Sequence, residues 1–84
     1  MTIASDATVL ALPDATPNVH DTAFVASGAR VIGAVTLSEG SSVWYNAVVR
    51  GDSAAIVLGP RSNLQDNVSV HVDRGRPVTI GADV

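Results

Sequence analysis

His71, Gln65 and Arg50 each stand one place after a branched apolar residue, respectively Val70, Leu64 and Val49, and each carries a side chain able to bind, orient or neutralise. Asn63, Asp52 and Asp66 lie close by in the chain. Arg50 has two acidic candidates for a charge-assisted pair, Asp52 in the same segment and Asp66 further along. Taken alone, an imidazole after a core valine is more often a structural or surface histidine than a ligand. A catalytic zinc centre takes three protein ligands, and the other imidazole, His20, sits beside Asp21 with no metal-ligand spacing around it. Cysteine is absent, which removes thiolate metal sites and disulfides.

The elements that must position these groups repeat every six residues. Val25, Val31, Leu37, Val43 and Val49 are all branched and apolar, and four places after each come Ala29, Val35, Ser41, Ala47 and Ser53, all small or slender. A helix cannot use this pattern, because six residues at about 100° each advance about 600° and scatter the valines over several directions. A strand can, since six is even, but Gly28, Gly33, Gly40 and Gly51 interrupt too often for one long strand. Each hexad therefore reads as a short strand plus a corner, and the chain as a coil stacked on itself with its large residues inward. The pattern predicts an all-β fold, a parallel β-helix with Val25, Val31, Leu37, Val43, Val49, Leu58, Leu64 and Val70 pointing into the core. On such a coil Gln65 and His71 occupy equivalent outward places on neighbouring faces.

Two breaks interrupt the register. Leu58 follows Val49 by nine places, so three residues from the segment 51–56 must bulge outward; Ile80 follows Val70 by ten, with Asp73, Arg74, Gly75, Arg76 and Pro77 supplying a polar turn. Residues 1–19 contain Pro13 and Pro17 and read as an extended lead-in, with one strand at Ala7 to Leu12, before coils over residues 20–84. Val84 falls on a core position with no polar cap after it, so the coil set is expected to be incomplete, ending before further C-terminal coils and a capping helix.

Composition narrows the function classes. Apolar residues are 46% of the 84, yet Phe, Trp and Tyr occur once each, which suits thin aliphatic stacks in a narrow solenoid. There is no lysine, and the net charge is −3, so nucleic acid and anionic membrane surfaces are excluded as partners. The first residues lack a basic, apolar leader, and the default compartment is the cytoplasm. Arg50-Gly51-Asp52 and Asn67-Val68-Ser69 spell an integrin tripeptide and a glycosylation sequon, but both fall within the hexads of a chain with no secretion signal. Trp44 and Tyr45 read as packing against a neighbouring element.

Three stretches together carry a family likeness: Ser42-Val43-Trp44-Tyr45-Asn46-Ala47-Val48-Val49-Arg50-Gly51-Asp52, Asn63-Leu64-Gln65-Asp66-Asn67 and Val70-His71. Over about Val19 to Val84 the chain resembles the gamma-class carbonic anhydrases, left-handed β-helix proteins of the hexapeptide-repeat type. The resemblance implies a three-sided prism that assembles as a homotrimer with metal sites between subunits. It implies His71 as the first of three histidine ligands, Gln65 and Asn63 as catalytic groups that orient substrate, and Arg50, Asp52 and Asp66 as a charged cluster at the subunit boundary. Three imidazoles would hold Zn²⁺, or equally cobalt or iron. They leave an open position where water ionises near pH 7 and can attack carbon dioxide, the reverse reaction consuming bicarbonate. The two further histidines would be expected beyond Val84, so this chain carries part of a site. The implied activity is that of a carbonate dehydratase-type lyase. Two other readings use the same coil: a hexapeptide-repeat acyltransferase or thioesterase-like enzyme, which does not need the set Arg50, Asp52, Gln65 and Asp66, and a non-catalytic trimeric assembly subunit that has lost the metal.

Overall fold

A computed structural model describes residues 2–84 and contains ten strands. β1 (Thr2–Ile3), β4 (Phe24–Val25), β6 (Ser42–Val43) and β8 (Asn63–Leu64) stack in that order as one parallel face. A second face stacks β2 (Thr8–Leu10), the first half of β5 (Arg30–Leu37), the first half of β7 (Val48–Leu58) and β9 (Ser69–His71). The third face stacks β3 (Asn18–Val19), the second halves of β5 and β7, and β10 (Val78–Ile80). Every ladder is parallel, so the chain is the parallel β-helix that its hexads predict, with β5 and β7 each bending round one corner.

The register explains the pattern. Phe24 pairs with Ser42, three hexads on, so Val25 lies under Val43, Val31 under Val49 and Leu37 under Leu58. Val25, Val31, Leu37, Val43, Val49 and Leu58 are fully buried and Leu64 nearly so. Val70, in the outermost coil, pairs with Val49 on one side only and is half-buried. The small positions fit the corners, where Ala29, Ala47 and Ser62 have no exposed surface. Ser41 Oγ donates to the Ser38 carbonyl at 2.7 Å, which is how a hydroxyl can lie in an otherwise apolar stack. Gly33 takes φ 79°, and a Cβ there would collide with the Gly51 carbonyl of the next coil.

Two expectations change. The hexad pattern puts Ser53 in the small corner place, but it is exposed, and Ile56 pairs with Val35 and is fully buried. The three extra residues leave the wall immediately after Gly51, so inward and outward places are not resumed until Ile56. Residues 2–19, expected as a lead-in, pair as a coil of their own: Thr2 with Phe24, Thr8 with Arg30 and Asn18 with Thr36. The phase runs through Ile3, Val9 and Val19 but is broken by a turn that an antiparallel bridge between Leu12 and Ala15 closes. A like bridge between Asp73 and Arg76 closes the later turn. Both turns, and the bulge of residues 52–55, leave the prism at the corner between the second and third faces.

Candidate functional site

The polar residues fall at two edges of the second face. At the edge shared with the first face, Asn63 ends the outward row Phe24, Ser42, Asn63, and Gln65 follows β8 into the corner. Gln65 Nε2 donates to Asn63 Oδ1 at 2.5 Å, pairing the two amides two residues apart. The coil below uses the same step with different chemistry: Trp44 Nε1 donates to Ser42 Oγ at 2.9 Å. Trp44 also packs on Phe24, ring centroids 5.1 Å apart, and lies edge-on to Tyr45 at 6.0 Å, so these aromatics cover the outside of the first face as packing groups. Asp66 lies in the same corner as Gln65, and among the described residues no ion pair includes it.

At the edge shared with the third face, Arg50 and His71 are register partners on adjacent strands, pointing outward where Val49 and Val70 point in. Of the two candidates for Arg50 it is Asp52 that pairs, Nη2 to Oδ2 at 2.9 Å. That hydrogen bond holds the Asp52 carboxyl below the usual carboxylate range. Ser53 Oγ lies 3.3 Å from Asp52 Oδ1 and 3.2 Å from the Val72 carbonyl, tying the bulge to the coil above. His71 ends β9 with its side chain 55% exposed, and its Nε2 lies 3.5 Å from Asp73 Oδ1. The sequence marks Asp73 only as part of a polar turn. Its signal was the repeat of Arg50-x-Asp52 as His71-x-Asp73, one coil on.

Gln65 and Asn63 thus stand at one edge, and Arg50, Asp52 and His71 at the next, with no hydrogen bond joining the two sets among the described residues. His20 belongs to neither. It follows β3 on the third face, where the Thr22 N–H donates to its Nδ1 at 3.1 Å. Among the described residues, no group of three His, Asp or Glu side chains could hold a metal.

Parallel hexad coils, with amides on one edge and an arginine, a carboxylate and an imidazole on the next, define a hexapeptide-repeat β-helix protein. No family model matches the chain. A Methanocaldococcus jannaschii protein named "Probable carbonic anhydrase" is 51% identical over 57 residues, 68% of this chain and 36% of that one. Gamma carbonic anhydrase 3, mitochondrial, of Arabidopsis thaliana is 42% identical over 83 residues, covering 92% of this chain and 32% of its own length. A Bacillus cereus crystal structure, provisionally named an acetyltransferase, superposes with a TM-score of 0.88 at 31% identity, covering 92% of this chain and 45% of that one. This chain belongs to the gamma-class carbonic anhydrase family. It spans about a third of the length of the curated relatives it matches.

Proposed function

We propose that this chain contributes one edge of a metal centre that interconverts carbon dioxide and bicarbonate, at the boundary between subunits of a cytoplasmic homotrimer. The observation that carries this is the separation of the two polar sets on adjacent edges of one prism. Residues that cannot meet within a chain can meet when the edge of one subunit packs against the next edge of its neighbour.

The donor chemistry suits a borderline divalent ion, zinc first and cobalt or iron equally. The His71 imidazole is solvent-accessible and makes no hydrogen bond among the described residues, so its nitrogen is free to coordinate. Lewis acidity is what such an ion supplies, bringing the pKa of water from about 15.7 to about 7. The chain's own groups do the rest. The amides of Gln65 and Asn63, held together by their hydrogen bond, present a fixed donor and acceptor to orient substrate without competing for the metal. Arg50, fixed by Asp52, places a positive charge beside His71 where bicarbonate would sit, and Asp66 is left to pair across the subunit boundary. The acyltransferase reading has the shared coil and the acetyltransferase name of the Bacillus cereus structure behind it, but it gives the paired Arg50 and Asp52 no task.

A chimera tests this reading. Replacing the matching segment of the M. jannaschii relative with this chain should give a zinc-bearing trimer that hydrates carbon dioxide in stopped flow, and His71→Gln in that chimera should lose both metal and activity. A folded, inactive chimera beside an active parent overturns the proposal. By itself the 84-residue chain, with one imidazole at that edge, should keep no stoichiometric zinc through dialysis.

A further inference from the structure

We propose that the remaining edge of the prism, between the third and first faces, carries a second binding site, which takes a neutral ligand of monosaccharide size through adjacent hydroxyl groups. The other two edges hold the polar sets already described, and this site is independent of the metal-centre reading. Here Asn18, His20, Thr36, Ser38, Glu39 and Pro60 line a cleft of about 330 Å³. Ligand sites usually enclose about 300–1,000 Å³, so the cleft suits a small molecule. Its polar groups stand on a regular lattice. Asn18 pairs with Thr36 across the ladder of β3 and β5, and the His20 N–H donates to the Leu37 carbonyl at 2.9 Å, which sets His20 beside Ser38. Strands about 4.8 Å apart, and residues two places or about 6.6 Å apart along each, seat these four side chains on one rectangle comparable in size to a sugar ring.

His20 is held in one tautomer there. Its Nδ1 accepts from the Thr22 N–H at 3.1 Å and lies 3.0 Å from Thr22 Oγ1, which itself accepts from the Gly40 N–H at 2.8 Å. The Thr22 hydroxyl hydrogen is thereby directed to Nδ1, and the ring carries its proton on Nε2, a fixed donor at the wall of the cleft. Glu39 supplies only acceptors, and Arg61, one coil on at the same corner, is paired with Asp83 at 2.7 Å instead. Among the described residues the side chains of Asn18, Thr36, Ser38 and Glu39 make no hydrogen bond or ion pair with the chain. A carboxylate or phosphate ligand would meet Glu39 with no cation in the lining to offset it. An ammonium would satisfy Glu39 but leave the imidazole N–H without an acceptor. A hydroxyl does both, donating to the carboxylate and accepting from the ring, and its neighbours on the same ligand fit the amide of Asn18 and the hydroxyls of Thr36 and Ser38. Pro60 adds an apolar wall for the C–H face of such a ligand.

The test is an NMR titration of the isotopically labelled 84-residue chain with D-glucose and with myo-inositol at constant neutral pH, with methylammonium and inorganic phosphate as charged counterparts. The His20 imidazole and the Ser38 and Glu39 amide signals should move along one saturable isotherm with at least one of the two polyols, at a Kd of about 1–10 mM, while His71 stays in place. Before any ligand is added, the His20 nitrogens should show a bare Nδ1 and a protonated Nε2. Glu39→Gln should raise the Kd about fivefold, because a neutral amide replaces a charged acceptor, and Thr36→Val should raise it as well. Circular dichroism should show that both variants keep their strands. No saturation by either polyol up to about 100 mM overturns the site, as does a Kd unchanged in both variants. Tighter binding of methylammonium or phosphate than of either polyol overturns the ligand class, and a proton on Nδ1 overturns the donor assigned to His20.

Discussion

Replacing Ile56 and Ser53 separately by alanine decides which residue resumes the wall after the bulge. Ile56 is fully buried and pairs with Val35 inside the stack, whereas Ser53 lies on the outside. Ile56→Ala removes three carbons at about 0.8 kcal/mol each, about 2.4 kcal/mol of transfer free energy before any cavity is counted. The walls on all three faces are hydrogen-bonded ladders that cannot collapse far, so the cavity remains and the total should reach about 3–4 kcal/mol. Ser53→Ala forfeits a part-buried hydrogen bond to the Val72 carbonyl and an exposed one to Asp52 and should cost no more than about 1 kcal/mol. Against a total stability of about 5–10 kcal/mol for a domain of this size, the first change should shift the urea midpoint severely and the second slightly, with slopes unchanged. Equal losses, or a larger loss at Ser53, would refute the register and return the inward place to the serine.

Arg50→Ala should weaken assembly of the chimera in sedimentation, by freeing Asp52 at the edge proposed to meet a neighbour; unchanged trimers would remove Arg50 from that boundary. Acid should destabilise the chain. Asp6, Asp52 and Asp83 are held below the usual 3.8, chiefly by hydrogen bonds from the Ser27 hydroxyl, Arg50 and Arg61 respectively. Their contribution is therefore present above the unfolded value and lost as pH falls through the lowered folded values. Urea midpoints should stay level from about pH 7 to 5, fall below about 4, and fall less in Arg61→Gln; a rise on acidification contradicts the assignment.

Much of the fold could be read because six is even and the pattern ran without error from Val25 to Val49: each valine named its own place in the wall. Legibility failed where insertions shifted the phase. Pro13 and Asp14 hid the coil marked by Ile3, Val9 and Val19, and the bulge placed Ser53 in a position that Ile56 occupies. The candidate site was legible as residue types, since His71, Arg50 and Gln65 each follow an inward residue and must point outward. Its pairings were less so. Nothing in the sequence chose between Asp52 and Asp66 for Arg50, because that depends on which carboxylate the corner turns toward the guanidinium. Asp73 sits in a turn whose composition matches solvent-facing punctuation, which masks its place beside His71.

All three departures from the six-residue period, at Leu12–Ala15, at residues 52–55 and at Asp73–Arg76, leave through one corner of the prism, while the other two corners keep a constant length from coil to coil. Chain length is thereby free to vary along a single line parallel to the axis, without altering the pitch of the stack or the seating of any inward residue. Two of these outgrowths start within two residues of Arg50 and His71. The fold thus divides its labour between an invariant frame and one editable seam, and foreign peptides grafted into the turn at Asp14 or Gly75 should be carried outward at that seam while the ladders below and beside them stay in register.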